Sequence, residues 1–180
     1  MIRYNVGCGK RNWPGWFGVD GVNFPHIVSN DIYLNIVSDN YIDLIYSSHL
    51  IAYLSRDEVK VLFKAWFERL KPGGTLRIAT PDFNILSKFY QCELPLDRIT
   101  GPLYGRMEMN GKEIYHKTTW DFKSLVLALE DVGFNDIKVY DHTKTEHPNT
   151  GNREDFYDDH SAAYINGTLI SLNVEANKPL

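Results

Sequence analysis

Arg3-Tyr4-Asn5-Val6-Gly7-Cys8-Gly9, Trp16-Phe17-Gly18-Val19-Asp20 and Ile27-Val28-Ser29-Asn30-Asp31-Ile32 are three short runs rich in β-branched and aromatic residues, each running into a glycine or an acid. Runs of this kind, bounded by turn residues, predict strands over Ile2–Val6, Trp16–Val19 and Ile27–Ser29. Working outward, Ile42–Tyr46, Thr75–Thr80, Ile137–Tyr140 and Leu169–Val174 read the same way. Between the fourth and fifth strands, Ser55 with Glu58 three residues later is a capping box, and Val59, Leu62, Phe63, Trp66 and Leu70 follow the spacing of one buried helical face. Lys71-Pro72-Gly73-Gly74 stops that helix. A strand, a helix and a strand in this order make a βαβ unit with parallel neighbours and a right-handed crossover. A second helix is signalled by Thr118 and Asp121, then Phe122, Leu125, Val126 and Leu129, with Gly133 behind it. The fold expected is an α/β sheet of seven strands, five before the last helix and two after.

The first half of that sheet is minimal. Nine residues join the first two strands and seven the next two, where a parallel crossover usually takes a dozen or more. Loops or single turns must make these connections, leaving one sheet face thinly covered. Trp13, Trp16, Phe17 and Phe24 supply the cover, the favoured reading, or else form a homodimer interface. Residues 91–117, with Pro95, Gly101-Pro102, Gly105 and Gly111, read as a long irregular loop, either a lid or binding loop or a surface excursion.

Length and composition narrow the class. At about 150 residues per domain, 180 residues argue for one domain over 1–180. An apolar share of 43% and a charged share of 23% are globular values, which removes disorder and low complexity. The longest apolar runs are five residues, Leu50–Leu54 and Leu125–Leu129, against about 20 for a membrane span. With no apolar core of a secretion signal near Met1, a cytoplasmic protein is expected. A net charge of −4, with four acids in residues 151–160, disfavours large nucleic acids. Cys8 and Cys92 read as reduced residues rather than a disulfide. His142, His147, Asp158, Asp159 and His160 lack tight metal-ligand spacing, so no metal site is expected, and Asn166-Gly167-Thr168 reads as a chance glycosylation pattern.

Chemistry concentrates at the strand ends. Gly7 and Gly9 follow the first strand at the edge where open α/β sheets bind ligands, and glycines there let a backbone approach closely. Asp20, ending the second strand, suits a ribose diol. Asp31 with Ile32, closing the third, offers an acid for an adenine amino group and an apolar face for its ring. The dinucleotide fingerprint wants a third glycine where Asn12 stands, so a phosphate-free adenosine ligand fits better than NAD. The plainer alternative is that Asp20 and Asp31 cap turns.

These motifs, with Ile-Asp-Leu-Ile-Tyr-Ser-Ser-His at 42–49 and Leu-Lys-Pro-Gly-Gly-Thr-Leu-Arg-Ile-Ala-Thr-Pro-Asp-Phe at 70–83, resemble the class I S-adenosylmethionine-dependent methyltransferases over roughly Ile2 to Ala176. The likeness is greatest to the small bacterial and phage-type branch linked to cell-surface sugar biosynthesis. It implies a Rossmann-like seven-stranded mixed sheet whose last strand is antiparallel, and methyl transfer from S-adenosylmethionine to a small-molecule or sugar-derived acceptor. By similarity Gly7 and Gly9 lie under the methionine part, Asp20 holds the ribose, Asp31 and Ile32 the adenine, and Ser47-Ser48-His49 faces the transfer site. His49 is the first candidate base and His116 the second; Asp82 and Tyr104 are acceptor-binding candidates. One departure stands out: related sequences read Leu-Glu-His-Leu where this chain has Ile51-Ala52-Tyr53-Leu54. Either the acceptor is unusual, or the protein is a non-catalytic adenosyl-ligand binder of the same fold.

Overall fold

The computed structural model describes residues 1–92, 94–145 and 163–180. In chain order its elements are β1 (Arg3–Val6), β2 (Phe17–Val19), β3 (Ile27–Ser29), β4 (Ile42–Ser48), α1 (Arg56–Arg69), β5 (Leu70–Pro81), α2 (Phe83–Gln91), α3 (Leu96–Tyr104), β6 (Met107–Met109) and β7 (Lys112–Ile114). There follow α4 (Phe122–Glu130), β8 (Asn135–Val139), β9 (Tyr164–Ile165), β10 (Thr168–Leu169) and β11 (Ser171–Asn177). Seven strands form one sheet in the order β3-β2-β1-β4-β5-β11-β8. β1 to β5 pair in parallel, and β11 lies antiparallel between β5 and β8. This is the Rossmann-like mixed sheet with its antiparallel last strand.

α1 forms for the reasons visible in its residues. Glu58 N–H donates to Ser55 Oγ at 3.2 Å and Ser55 N–H to Glu58 Oε2 at 2.6 Å, while Val59, Leu62, Phe63 and Trp66 are buried. They pack on Tyr4, Val6, Ile45, Leu76, Ile78, Leu172 and Val174, joined by Leu125 and Leu129 of α4. That is the helix-covered face.

The opposite face carries a cross-strand row of Asn5, Tyr46, Arg77 and Glu175. Arg77 Nε donates to Glu175 at 2.7 Å. Residues 7–16 and 20–26 contain no helix. Trp13, 5% exposed, covers this face by packing on Tyr46 and on Trp16, ring centroids 5.3 and 5.4 Å away. The four aromatics do not act as one group: Phe17 is 44% exposed beside Tyr4, and Phe24 stacks on His26.

The stretch from 91 to 117 corrects the expectation of an irregular loop. It contains α3 and the β6–β7 hairpin. Ile99 and Leu103 pack α3 against Leu86 of α2, with Ala163, Ile165 and Ile170 completing a second small core. Pro102 sits late enough in α3 that the helix ends two residues on, capped by Gly105 in the left-handed conformation. Asn110 and Gly111, at φ 52° and 74°, make the hairpin turn, as Asn-Gly pairs favour. Asn166 and Gly167, at φ 48° and 77°, do the same between β9 and β10, which gives the supposed glycosylation pattern a turn-forming role. Both cysteines are free, Cys8 buried and Cys92 exposed. Among the described residues no helix is long and apolar enough to cross a membrane, and no three metal-ligating side chains cluster. His147, Asp158, Asp159 and His160 lie outside the described residues.

Glu58 links this frame to pH. The Ser55 peptide N–H, then the Lys117 ammonium at 3.0 Å, hold its carboxyl from 4.5 down to about 2. A depressed folded value contributes stability above the unfolded value and loses it as pH falls toward the folded one. Wild-type stability in urea titrations therefore falls between pH 4.5 and about 2. Glu58→Gln is expected to be less stable at neutral pH and to show a flatter profile across that window; an unchanged slope contradicts the assignment.

Candidate functional site

Parallel pairing of β1 with β2 and β4 brings three strand ends together on one edge. Gly7 and Cys8 N–H donate to Val19 O at 2.7 and 3.3 Å, which folds the glycine loop back onto β2. Asp20, the next residue, accepts from Gly9 N–H at 2.8 Å through Oδ2 and from Val22 N–H at 2.9 Å through Oδ1. Each carboxylate oxygen keeps lone-pair capacity toward the cleft. Gly7 adopts φ 76°, and a Cβ there would lie 3.0 Å from Leu50 Cβ. Gly9, at φ 57°, has nothing within 4 Å of a would-be Cβ, so its open side faces free space.

The cleft beside this loop has a volume of about 710 Å³, within the range of small-molecule sites. Gly7, Gly9, Asp20, Ile32 and His49 all line it. His49 follows β4 in the left-handed region at φ 56°, and its N–H donates to Ala79 O at 2.8 Å. Such a conformation in a non-glycine residue stores about 1–3 kcal/mol and tends to occur at functional sites.

The other expected residues sit elsewhere. Ser47 is buried on the helix-covered face, and Ser48, one residue on, lines the cleft; its Oγ has no hydrogen-bond partner among the described residues. Asp31 accepts from Tyr33 N–H, Asn35 N–H and Asn35 Nδ2, closing its own turn outside the cleft lining. Asp82 caps α2 through Asn84 N–H at 2.9 Å, and burial raises its carboxyl above the usual range. Tyr104 is 60% exposed at the end of α3. His116 is packed edge-on against Tyr53 at 4.5 Å, with Nδ1 3.2 Å from Leu103 O, and burial lowers its pKa. It lines a narrow internal space behind α3 rather than the cleft.

A lid or binding loop within 91–117 is one of the two readings of the sequence, but that reading does not name the residues over the cleft. Met107, Met109, Ile114 and Tyr115 of the hairpin region line the cleft, with Tyr53 and Lys117 at its flank. The hairpin tip meets the far rim, where a Cβ on Gly21 would lie 3.5 Å from Met109 Sδ. Tyr53 O–H donates to Gly105 O at 2.6 Å, and Lys117 N–H to Ala52 O at 2.8 Å, which fasten both hairpin bases to the turn after β4. The residues that depart from the related pattern, Ala52 and Tyr53, are thus the anchor of the roof. The Asn110-Gly111 pair was the available signal.

No protein-family model matches the chain, and no curated protein does. Among solved structures it is similar to a SAM-dependent methyltransferase from Archaeoglobus fulgidus, at 18% identity and TM-score 0.57 over 99% of this chain and 86% of the other. A SAM-dependent methyltransferase from Methanosarcina mazei matches at 17% identity and TM-score 0.56 over 99% and 92%. Human N-acetylserotonin methyltransferase, in complex with SAM, matches at 11% and 0.55 over 99% and 48%. At these identities the likeness is one of fold: the sheet is that of class I methyltransferases.

The two loop glycines are expected to differ in cost. Gly7→Ala combines the left-handed strain with the Leu50 contact and loses about 2–3 kcal/mol, whereas Gly9→Ala meets only the strain, about 1 kcal/mol. Urea denaturation of the two variants checks the ranking; equal losses contradict the close approach at Gly7.

Proposed function

We propose that this chain is an S-adenosylmethionine-dependent methyltransferase acting on a small-molecule or sugar-derived acceptor. The observation that carries the reading is the Asp20 carboxylate, held at the end of β2 beside a glycine loop and facing a cleft with Ile32 on its wall. The fit is chemical: a carboxylate for a ribose diol, an apolar residue for a purine face, and a buried, unpartnered Ser48 hydroxyl near the transfer end. The fold likeness to methyltransferases supports it further.

When bound, the cofactor supplies a methyl group already activated on a sulfonium. The chain's own work is then to hold, orient and exclude water. Asp20 accepts hydrogen bonds from the ribose hydroxyls; Gly7 and Gly9 let the backbone come close; Ile32 packs on the base, presented by the turn that Asp31 closes. His49 takes the proton of the acceptor's hydroxyl or amine as attack proceeds. Met107, Met109, Ile114 and Tyr115 form an apolar roof that keeps water out and limits the acceptor to a small molecule. His116, buried and held neutral by its lowered pKa, supports Tyr53 rather than the reacting atoms.

A second reading, an adenosyl-ligand binder without transfer, is favoured by Ala52 and Tyr53, where a carboxylate and an imidazole of related sequences are missing. Calorimetry with S-adenosylmethionine and S-adenosylhomocysteine tests the cofactor, and labelled methyl transfer into a cell extract tests the reaction. Binding without transfer selects the second reading; binding of neither compound removes both.

Asp20→Ala is expected to weaken binding of S-adenosylhomocysteine by about 1.5–3 kcal/mol in calorimetry, because a charged acceptor leaves a partly buried site. Unchanged affinity would place the sugar elsewhere. His49→Ala is expected to lose methyl transfer while cofactor affinity stays within about twofold; an equal loss of both makes the residue structural.

A further inference from the structure

In dinucleotide-type folds the loop after the first strand is held by the helix that follows it. Here no helix follows; residues 10–16 are turns and irregular chain. Something else must fix the peptide of Gly9, whose N–H is one of the two that orient Asp20. His26, on the connection between β2 and β3, reaches back across β2 and brings Nε2 to 3.1 Å from Gly9 O. A carbonyl only accepts, so Nε2 carries the proton and donates. Gly9 is thereby gripped on both sides, its N–H by Asp20 and its carbonyl by His26.

The surroundings of the ring are built to keep it there. Phe24 stacks on it, ring centroids 6.0 Å apart and planes 11° from parallel. Cys8 Sγ lies 3.9 Å from Nε2. Its thiol is pushed up to about 11, first by burial and then by the Asp20 charge, so it stays neutral beside the ring. Beneath, Gly18 leaves room: a Cβ there would lie 3.2 Å from His26 Cδ2 and 3.1 Å from Cys8 Sγ. Meanwhile His26 itself is absent from the residues lining the cleft.

We infer that His26 is a positioning residue for the adenosyl cradle: it pins the Gly9 carbonyl, and through the Gly9 backbone, whose N–H meets Asp20, it sets that carboxylate for the ribose. The inference rests on the adenosyl reading only in its last link. The tests are calorimetric titration of the full chain with S-adenosylhomocysteine and hydrogen exchange of the Gly9 amide, on wild type, His26→Ala and His26→Gln. The Gln amide can donate from nearly the position of Nε2. His26→Ala is expected to weaken binding about five- to tenfold, the worth of one neutral hydrogen bond, and to speed Gly9 amide exchange. His26→Gln recovers most of both. Affinity and exchange unchanged in His26→Ala overturn the inference, as does a Gln variant no better than Ala, which would mean that the ring only fills space. A wild type that binds no S-adenosylhomocysteine removes the adenosyl reading and the link to it, while the Gly9 exchange rates still decide whether His26 holds the loop.

Discussion

Asp20 accepts two backbone N–H groups, from Gly9 on one side and Val22 on the other, and so ties the glycine loop to the chain leaving β2. Beside that tie the loop closes on the Val19 carbonyl and on the His26 ring, since no helix follows it. The carboxylate is thus structural and cleft-lining at once. The two peptide N–H groups meet on one side chain, so breaking one tie exposes the other to loss.

The shortness of the first two connections has consequences across the sheet. One face is sealed by α1 and α4 over aliphatic strand residues; the other has no helix over β1 and β2 and is covered instead by Trp13 and Trp16 above Tyr46. Asn5, Tyr46, Arg77 and Glu175 form the polar row on that face, and the 2.7 Å ion pair between the last two makes it tolerable. The missing mass over the cleft is restored by the 107–114 hairpin, which the chain delivers from beyond β5 and fastens through Tyr53, Ala52 and Gly105. A small chain closes a cleft of this size by bringing in one distant hairpin.

Much of this was legible because strands and caps leave local marks. The seven sheet strands and α1 and α4 follow from β-prone runs, the Ser55–Glu58 box and the Asp121 cap. Gly7, Gly9, Asp20, Ile32 and His49 come together because parallel strands put their carboxyl ends on one edge, so a strand assignment also assigns the site. What failed did so for identifiable reasons. Gly101-Pro102 read as a breaker, yet α3 runs through it and ends only two residues on, at Tyr104. β6 and β7 are three residues each, too short for alternation to show, and only Asn110-Gly111 marked them. Ser47 and Ser48 differ by one position, and a strand sends successive side chains to opposite faces, so a motif read without its register counts both hydroxyls toward the cleft where only Ser48 lines it. The roof residues lie far along the chain from the strand ends, and nothing in their types announces the cleft they cover.

The account turns on the Asp20 edge being an adenosyl cradle, and a crystal structure grown with S-adenosylhomocysteine tests it most directly. The expected result is the ribose diol on the Asp20 carboxylate, the purine against Ile32, and the sulfur near Ser48 and His49 beneath Met107 and Met109. Ligand density at another edge of the sheet, or a cleft that stays closed to it while the compound binds elsewhere, would contradict the account.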